Sequence, residues 1–337
     1  MIKNLVFKFL SKNDIGDFLK ILKLYRKNHF LIKNKKYFNW RFKNKNFLNI
    51  VILKYKKQII SFLSFYTLKH YDNCLKSKFL FLSLAFSNKN LIPGQFFLLL
   101  KFLIKQKNPQ CILTYPLSHA LKINEKFGFK IKVLSHFFFK TKKNISGIGK
   151  FKNFYLKSQK IKGLESNCKI IYNLSKLEFN KEIFNFQIPT KSKNYILNKY
   201  QFHPTFRYKY ICEINNNFVN SILILRLVKY NDKKVGRIVE FVGKNKNIIK
   251  YNNILFNFIS KYKLEYIDFY NYGFSRKHLI KAGFFDKSYF KNIVIPDYFN
   301  PYINENIKLN LGILSKENNN FKNLNIFKGD CDYDIPV

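Results

Sequence analysis

Between Lys78 and Lys142 the hydrophobic period of the sequence changes several times, and the order of those changes limits what the chain can fold into. Phe79 to Phe86 is an apolar run of strand length, followed by the polar loop Ser-Asn-Lys-Asn. Pro93 and Gly94 open an apolar-rich run from Gln95 to Gln106, long enough for about three helical turns. Cys111 to Tyr115 reads as a second short strand. Ser118 to Phe127 has helical spacing, with Ala120, Ile123 and Phe127 on one face. Gly128 ends that helix, and Lys130 to Phe139 reads as a third strand. The series strand, loop, helix, strand, helix, Gly-Phe, strand describes an α/β unit with a ligand-sized opening after its first strand.

The pattern occurs a second time. The stretch KNKKYFNWRFKNKNFLNIVILKYKKQIISFLSF is echoed by KSKNYILNKYQFHPTFRYKYICEINNNFVNSILIL, and each is followed by a helix and a Gly-Phe, at Gly128 and Gly283. From Tyr37 to Gly128 is 91 positions (128 − 37), and from Tyr195 to Gly283 is 88 (283 − 195). This spacing predicts two fold-sized units, residues 1–145 and 166–300. The polar, Lys-rich stretch 146–165 is expected to connect them, and 301–337 to form a C-terminal extension. After the strand GRIVEFVG the second copy continues KNKNIIKYNN, with no glycine for a phosphate loop.

Composition excludes several classes. A hydrophobic content of 47% excludes a disordered chain. Lysine breaks every apolar run well short of the ~20 residues a membrane span needs. The first residues show no signal-peptide pattern, so a cytoplasmic location is expected. Five scattered cysteines without C-x-x-C predict free thiols. The six histidines show no H-x-x-x-H or H-E-x-x-H spacing, which argues against a zinc site, and no metal is expected. The net charge of +43 comes from lysines spread along the whole chain. A nucleic-acid footprint should be clustered, so specific DNA binding is not expected.

The order of elements around Phe79–Phe139, and Asn-Glu-Lys-Phe-Gly-Phe-Lys at Asn124–Lys130 in particular, resembles the GNAT superfamily of N-acyltransferases. The resemblance implies a mixed α+β sheet in two tandem GNAT-like units, with acetyl-CoA as cosubstrate of the first. Its phosphates would lie on Asn90, Ile92, Gly94, Gln95 and Phe96, at a helix N-terminus that favours anions. Here the family's Gly-rich loop is reduced to Asn-Lys-Asn-Leu-Ile-Pro-Gly-Gln. The pantetheine arm would run beside Leu84, Ala85 and Phe86. Asn124 stands where many relatives carry a tyrosine acid and would face the sulfur. His119, at the start of the same helix, is the best histidine for proton transfer.

For the acceptor, the sequence offers Trp40 in an aromatic segment. It also offers Asp268, Tyr270 and Asn271 at the end of a strand, and Asp330 and Asp332 in an acidic tail. The segments IVIPDYFNPY and FKGDCDYDIPV resemble the C-terminal part of uncharacterised bacterial proteins encoded with surface-polysaccharide enzymes. Together these resemblances imply transfer of an acyl group from CoA to a small-molecule amine, an amino sugar first of all. Two alternatives stay open: a tandem transferase using aminoacyl-tRNA, favoured by the charge, and a non-catalytic GNAT-like binding protein, favoured by the reduced loop.

Overall fold

The computed structural model describes residues 4–27, 29–44, 47–88, 90–142, 147–151, 155–297, 302–316 and 323–330. The chain forms two compact units. The first runs to Lys132 and takes in the segment beginning at Asn310. The second runs from Val133 to Leu309 and takes in the described tail residues 323–330.

The first unit is a sheet of strands β1 (Leu5–Phe9), β2 (Ile50–Tyr55), β3 (Gln58–Thr67), β4 (Phe79–Ser87), β5 (Cys111–Thr114) and β6 (Lys130–Val133), joined by β17 (Asn310–Ser315). Its strand order is β1-β2-β3-β4-β5-β17-β6. The β4–β5 pair is parallel, while β1 to β4 and β5–β17 pair antiparallel. Helices α1 (Ile15–Tyr25), α2 (Phe30–Lys33), α3 (Lys35–Phe42), α4 (Gln95–Lys107) and α5 (Leu121–Lys126) complete it. Leu99, Leu100 and Leu103 recur at helical spacing on α4. They are fully buried against Val51, Leu53, Leu63, Phe65, Leu80 and Leu82, the alternating inward residues of β2, β3 and β4. Such burial is worth roughly 2 kcal/mol per leucine.

The second unit repeats this plan. Its strands are β7 (Ser135–Phe139), β8 (Lys150–Phe151), β9 (Cys168–Ile171), β10 (Glu178–Phe179), β11 (Tyr208–Asn215), β12 (Phe218–Tyr230), β13 (Lys233–Val242), β14 (Ile267–Tyr272), β15 (Phe285–Asp286), β16 (Ile293–Val294) and β18 (Ile326–Phe327). The main sheet has the order β15-β7-β14-β13-β12-β11-β9, with β13 and β14 parallel. Helices α6 (Lys193–Ile196), α7 (Asn252–Tyr262) and α8 (Arg276–Lys281) belong to it. The repeat extends to the helix caps. Gly128 (φ 98°) follows α5, with Gly128 N–H on Glu125 C=O and Phe129 N–H on Asn124 C=O. Gly283 (φ 88°) follows α8, with Gly283 N–H on Ile280 C=O and Phe284 N–H on Leu279 C=O. Both are Schellman caps, which need the left-handed backbone that glycine adopts without strain.

Two expectations change. The single strand expected over Lys130–Phe139 breaks at Leu134, whose N–H donates to Leu309 C=O (2.9 Å). β6 stays in the first sheet, whereas β7 lies between β14 and β15 in the second. Conversely β17, expected within an extension, lies between β5 and β6 in the first sheet. Each sheet therefore receives one strand from the other half of the sequence, and the first boundary falls at 132/133 rather than 145. Within 146–165, expected to connect the units with some local structure, β8 pairs with β16 and the Glu265 carboxylate accepts the N–H groups of Ile148 and Gly149 (2.8 and 3.2 Å). Local period cannot reveal which sheet an edge segment joins, since both sheets offer the same alternation.

At the start of α1, Ser11 and Asp14 form a capping box, and Asp14 also takes Lys54 (2.6 Å) and Lys8 (2.8 Å). Burial raises the Asp14 carboxyl, but the bonds from Lys54, Lys8 and Ser11 outweigh it and hold the group well below the usual carboxylate range. A depressed folded value means stabilisation that is present above an unfolded value of about 4 and lost as pH falls below it. Asp14→Asn is therefore expected to lower the melting temperature at pH 7 more than at pH 3, as thermal unfolding at the two pH values would show.

Candidate active site

In the first unit β4 pairs with β5 only from Phe79–Phe81 to Cys111–Leu113. β4 then continues to Ser87 against β3 alone, and its residues pass from buried to half-buried where the strands separate. Among the described residues no strand covers that edge. Just past the divergence β4 bulges. Leu63 faces Ala85 and Phe65 faces Leu82, so Ser83 and Leu84 stand opposite Ser64 alone. The fully buried Ser64 hydroxyl holds this bulge, accepting Leu84 N–H (2.8 Å) and donating to Leu84 C=O (3.1 Å). Asn88 N–H donates to Ile60 C=O (3.0 Å), which makes Phe62–Phe86 the next bonded pair of the ladder. By that alternation the N–H groups of Ala85 and Ser87 point away from β3, toward the divergence.

The loop after β4 leads into α4. Gly94 is the N-cap residue, with left-handed backbone (φ 72°), and nothing lies within 4 Å of where its Cβ would be. The N–H groups of Gln95, Phe96 and Phe97 open the helix without intrahelical acceptors, since the first such bond runs from Leu98 N–H to Gly94 C=O. Ile92 precedes this turn. The loop's shape is fixed from inside by Gln95, which is 1% exposed. Its Oε1 accepts Asn88 N–H (3.1 Å), and its Nε2 donates to the carbonyls of Asn88 (2.7 Å) and Ile92 (2.8 Å). Asn90 N–H is held by the Asn88 side chain (3.1 Å). Of the residues expected to meet phosphate, Gln95 and Asn90 thus shape the loop, while Gly94 and the helix amides face outward from it.

The other expected residues of the first unit sit less openly. Asn124 is 4% exposed, and its Nδ2 donates to Ala120 C=O of its own helix (2.8 Å). His119 lies exposed on the turn Ser118–Ala120 that precedes α5. Trp40 packs between Tyr37 and Tyr71 (5.5 and 5.4 Å between ring centroids), and its carbonyl bonds to the half-buried His70 ring (2.7 Å). Cys111 and Cys212 are buried, and burial pushes the Cys111 thiol up to about 12, so both behave as small hydrophobes.

Asp268, Tyr270, Asn271 and Asp330 are all in the second unit and all buried, so the open acceptor lining expected of them is not what they form. Asp268 accepts Arg237 Nε (3.1 Å) and one of its terminal nitrogens (2.9 Å), and that guanidinium also reaches the Asp297 carboxylate (3.5 Å). Tyr270 stacks on His136 (3.7 Å). Asp330 takes Lys191 (3.0 Å) and Lys199 (3.5 Å), and Lys191 also bonds Glu240 (2.5 Å). Burial, then the charge of Asp330, pushes Glu240 up to about 7. Burial, then the Arg237 charge, brings Lys328 down to about 8. Asp332 lies outside the described residues. Sequence reading missed Ser64, Lys191, Lys199, Arg237 and Glu240. Arg237 and Glu240 did carry a signal, as charges inside the apolar strand VGRIVEFV.

A charge buried with a partner costs most when the partner is removed. Asp268→Ala removes the two-point partner of Arg237, leaving the buried guanidinium only the more distant Asp297 carboxylate, and is expected to cost about 3–5 kcal/mol in urea unfolding. A loss under 1 kcal/mol would mean that the pair is not structural.

By sequence, the chain matches no family profile and no curated protein. Its fold has counterparts among solved structures. A GCN5-related N-acetyltransferase from Anabaena variabilis is similar over 92% of this chain and 72% of its own, with a TM-score of 0.57 at 9% identity. A Pyrococcus horikoshii protein described as an acetyltransferase is similar over 99% of this chain and 96% of its own, with a TM-score of 0.52 at 10% identity. The mixed sheets, the parallel pair that diverges in each, and the twice-occurring helix and Gly-Phe cap give this chain a fold like that of these acetyltransferase structures, laid out as two GNAT-like units.

Proposed function

We propose that the protein is an acyl-CoA-dependent N-acyltransferase whose donor site is the β4–β5 divergence of the first unit. One observation carries the reading. A bulged strand with outward-turned amides lies beside a helix N-terminus whose cap residue, Gly94, has open space around it. The pantetheine amides would pair with the free edge of β4, and the pyrophosphate would rest on the first amides of α4. A neutral acceptor amine would attack the thioester carbonyl. The N–C bond forms, the C–S bond breaks, and the amine proton passes to water. Ala85 N–H would stabilise the oxyanion, and the bulge that turns it outward is held by the Ser64 hydroxyl on Leu84. Asn124, buried with its amide donating to Ala120 C=O, cannot yield a proton at neutral pH. The thiolate therefore leaves unassisted or takes its proton from solvent.

The acceptor class that the sequence resemblance favours is an amino sugar, free or nucleotide-linked. Calorimetry with acetyl-CoA tests the donor site. Gly94→Glu is expected to weaken binding at least 100-fold through its charge, and Gly94→Ala, which adds only backbone strain, by much less. Equal affinity in the wild type and Gly94→Glu would exclude this site. The charge of +43 supports a second reading, with aminoacyl-tRNA as donor. Tight, steeply salt-dependent RNA binding without acetyl-CoA binding would select it.

A further inference from the structure

The second sheet opens the same V as the first, and in it lies the chain's own tail. β13 and β14 are paired from Gly236–Ile238 to Ile267–Phe269 and then part. Just beyond the last pair, Phe327 and Ile326 of β18 run antiparallel to Asn271 and Tyr272 of β14. On the other edge, Ile188 N–H donates to Asn323 C=O and Asn325 N–H to Ile188 C=O (2.9 Å each). The segment is thus bonded along both edges, as an added strand is.

Its side chains are held by two separate charge sets. Lys328 is fully buried and bonds the carboxylate of Asp297, beside the Arg237–Asp268 pair. Two residues on, Asp330 is fully buried on Lys191, Lys199 and the Tyr195 hydroxyl (3.4 Å). Lys199 and Tyr200 come from a π-helical turn, Leu197–Gln201, that continues α6. Two glycines make room. A Cβ on Gly273 (φ 84°) would lie 1.8 Å from Leu324 C=O, and one on Gly329 would lie 2.7 Å from Val239 C=O at the bulge of β13. A solvated tail would leave its lysine and aspartate in water. This one buries both against counter-charges, on Asp297 after β16, on Lys191 before α6 and on Lys199 in the helical turn.

We propose that the V of the second sheet is a peptide-binding cleft whose resident ligand is the chain's own segment Leu324–Asp330. An extended apolar pair is recognised by strand addition, the following lysine by Asp297, and the aspartate by Lys191 and Lys199. The same occupancy removes the strand edge that a pantetheine arm would need, so the second unit takes no acyl-CoA. That last consequence rests on the proposed function. The peptide readouts below do not, so the two can fail separately.

Hydrogen exchange on the intact chain gives the first test. The amides of Asn325 and Phe327 are expected to exchange as slowly as those of β14; exchange as fast as in exposed turns overturns the proposal. The second test uses Gly329→Val in the full chain, which unseats the tail and leaves the cleft walls unchanged. A labelled peptide of residues 323–330, Asn-Leu-Asn-Ile-Phe-Lys-Gly-Asp, is expected to bind this variant at least tenfold more tightly than the wild type, whose cleft is filled. Replacing the peptide's lysine and aspartate by alanine should lose at least tenfold. Equal binding to both chains, or none to a variant whose tail amides have become fast, overturns it. If Gly329→Val does not fold, Asp330→Asn takes its place. It should speed exchange at 323–330 at least tenfold and leave the first unit unchanged; unaltered exchange there counts against the proposal.

Discussion

Two parallel strands that start together and then separate impose the constraint on which each unit depends. Inside a sheet, every N–H and C=O on the parting edges needs a partner from somewhere other than the neighbouring strand. The chain meets this need differently in its two halves. In the second, β18 pairs with β14 just past the divergence, and a turn carrying two charges follows it in. In the first, β4 bulges at Ser83–Leu84, Ser64 satisfies the bulge, and the amides of Ala85 and Ser87 turn to the edge. The same geometry is therefore filled by peptide in one unit and, among the described residues, left uncovered by any strand in the other, where the proposed function places the donor.

The charges of the second unit follow from that filling. Burying Arg237, Lys191 and Lys328 is costly unless each finds a carboxylate, and each does, on Asp268, on Glu240 and Asp330, and on Asp297. Hydrophobic residues of the same volume would have stabilised such a core at least as well. What ion pairs add is dependence on position: a tail shifted by one residue would leave Lys328 and Asp330 facing the wrong partners. Charge pairing thus fixes the register of a short strand that backbone bonds alone would leave free to slip.

Much of the fold was legible because it is local. The strand-helix-strand rhythm from Phe79 and the Gly-Phe caps at Gly128 and Gly283 depend on residues within a few positions of one another. The exchange of β7 and β17 was not legible. Ser-His-Phe-Phe-Phe alternates as well for one sheet as for the other, and nothing within Lys130–Phe139 marks Leu134 as a crossing point. At the candidate site, Gly94 stood out by its position before an apolar run. Ser64 looked like any serine in a strand, because its task depends on a bulge 20 residues away. Asp330 read as an acidic tail residue available to an acceptor because the lysines that bury it lie more than 130 positions earlier in the chain.

On the proposed function, two like units offer one acyl-CoA site, in the uncovered V of the first, while the V of the second is filled by the chain's own tail. Native mass spectrometry of the intact protein with excess acetyl-CoA counts those sites directly. The account predicts saturation at one acetyl-CoA per chain, with none bound to Gly94→Glu. Two per chain, or one that survives Gly94→Glu, would contradict it.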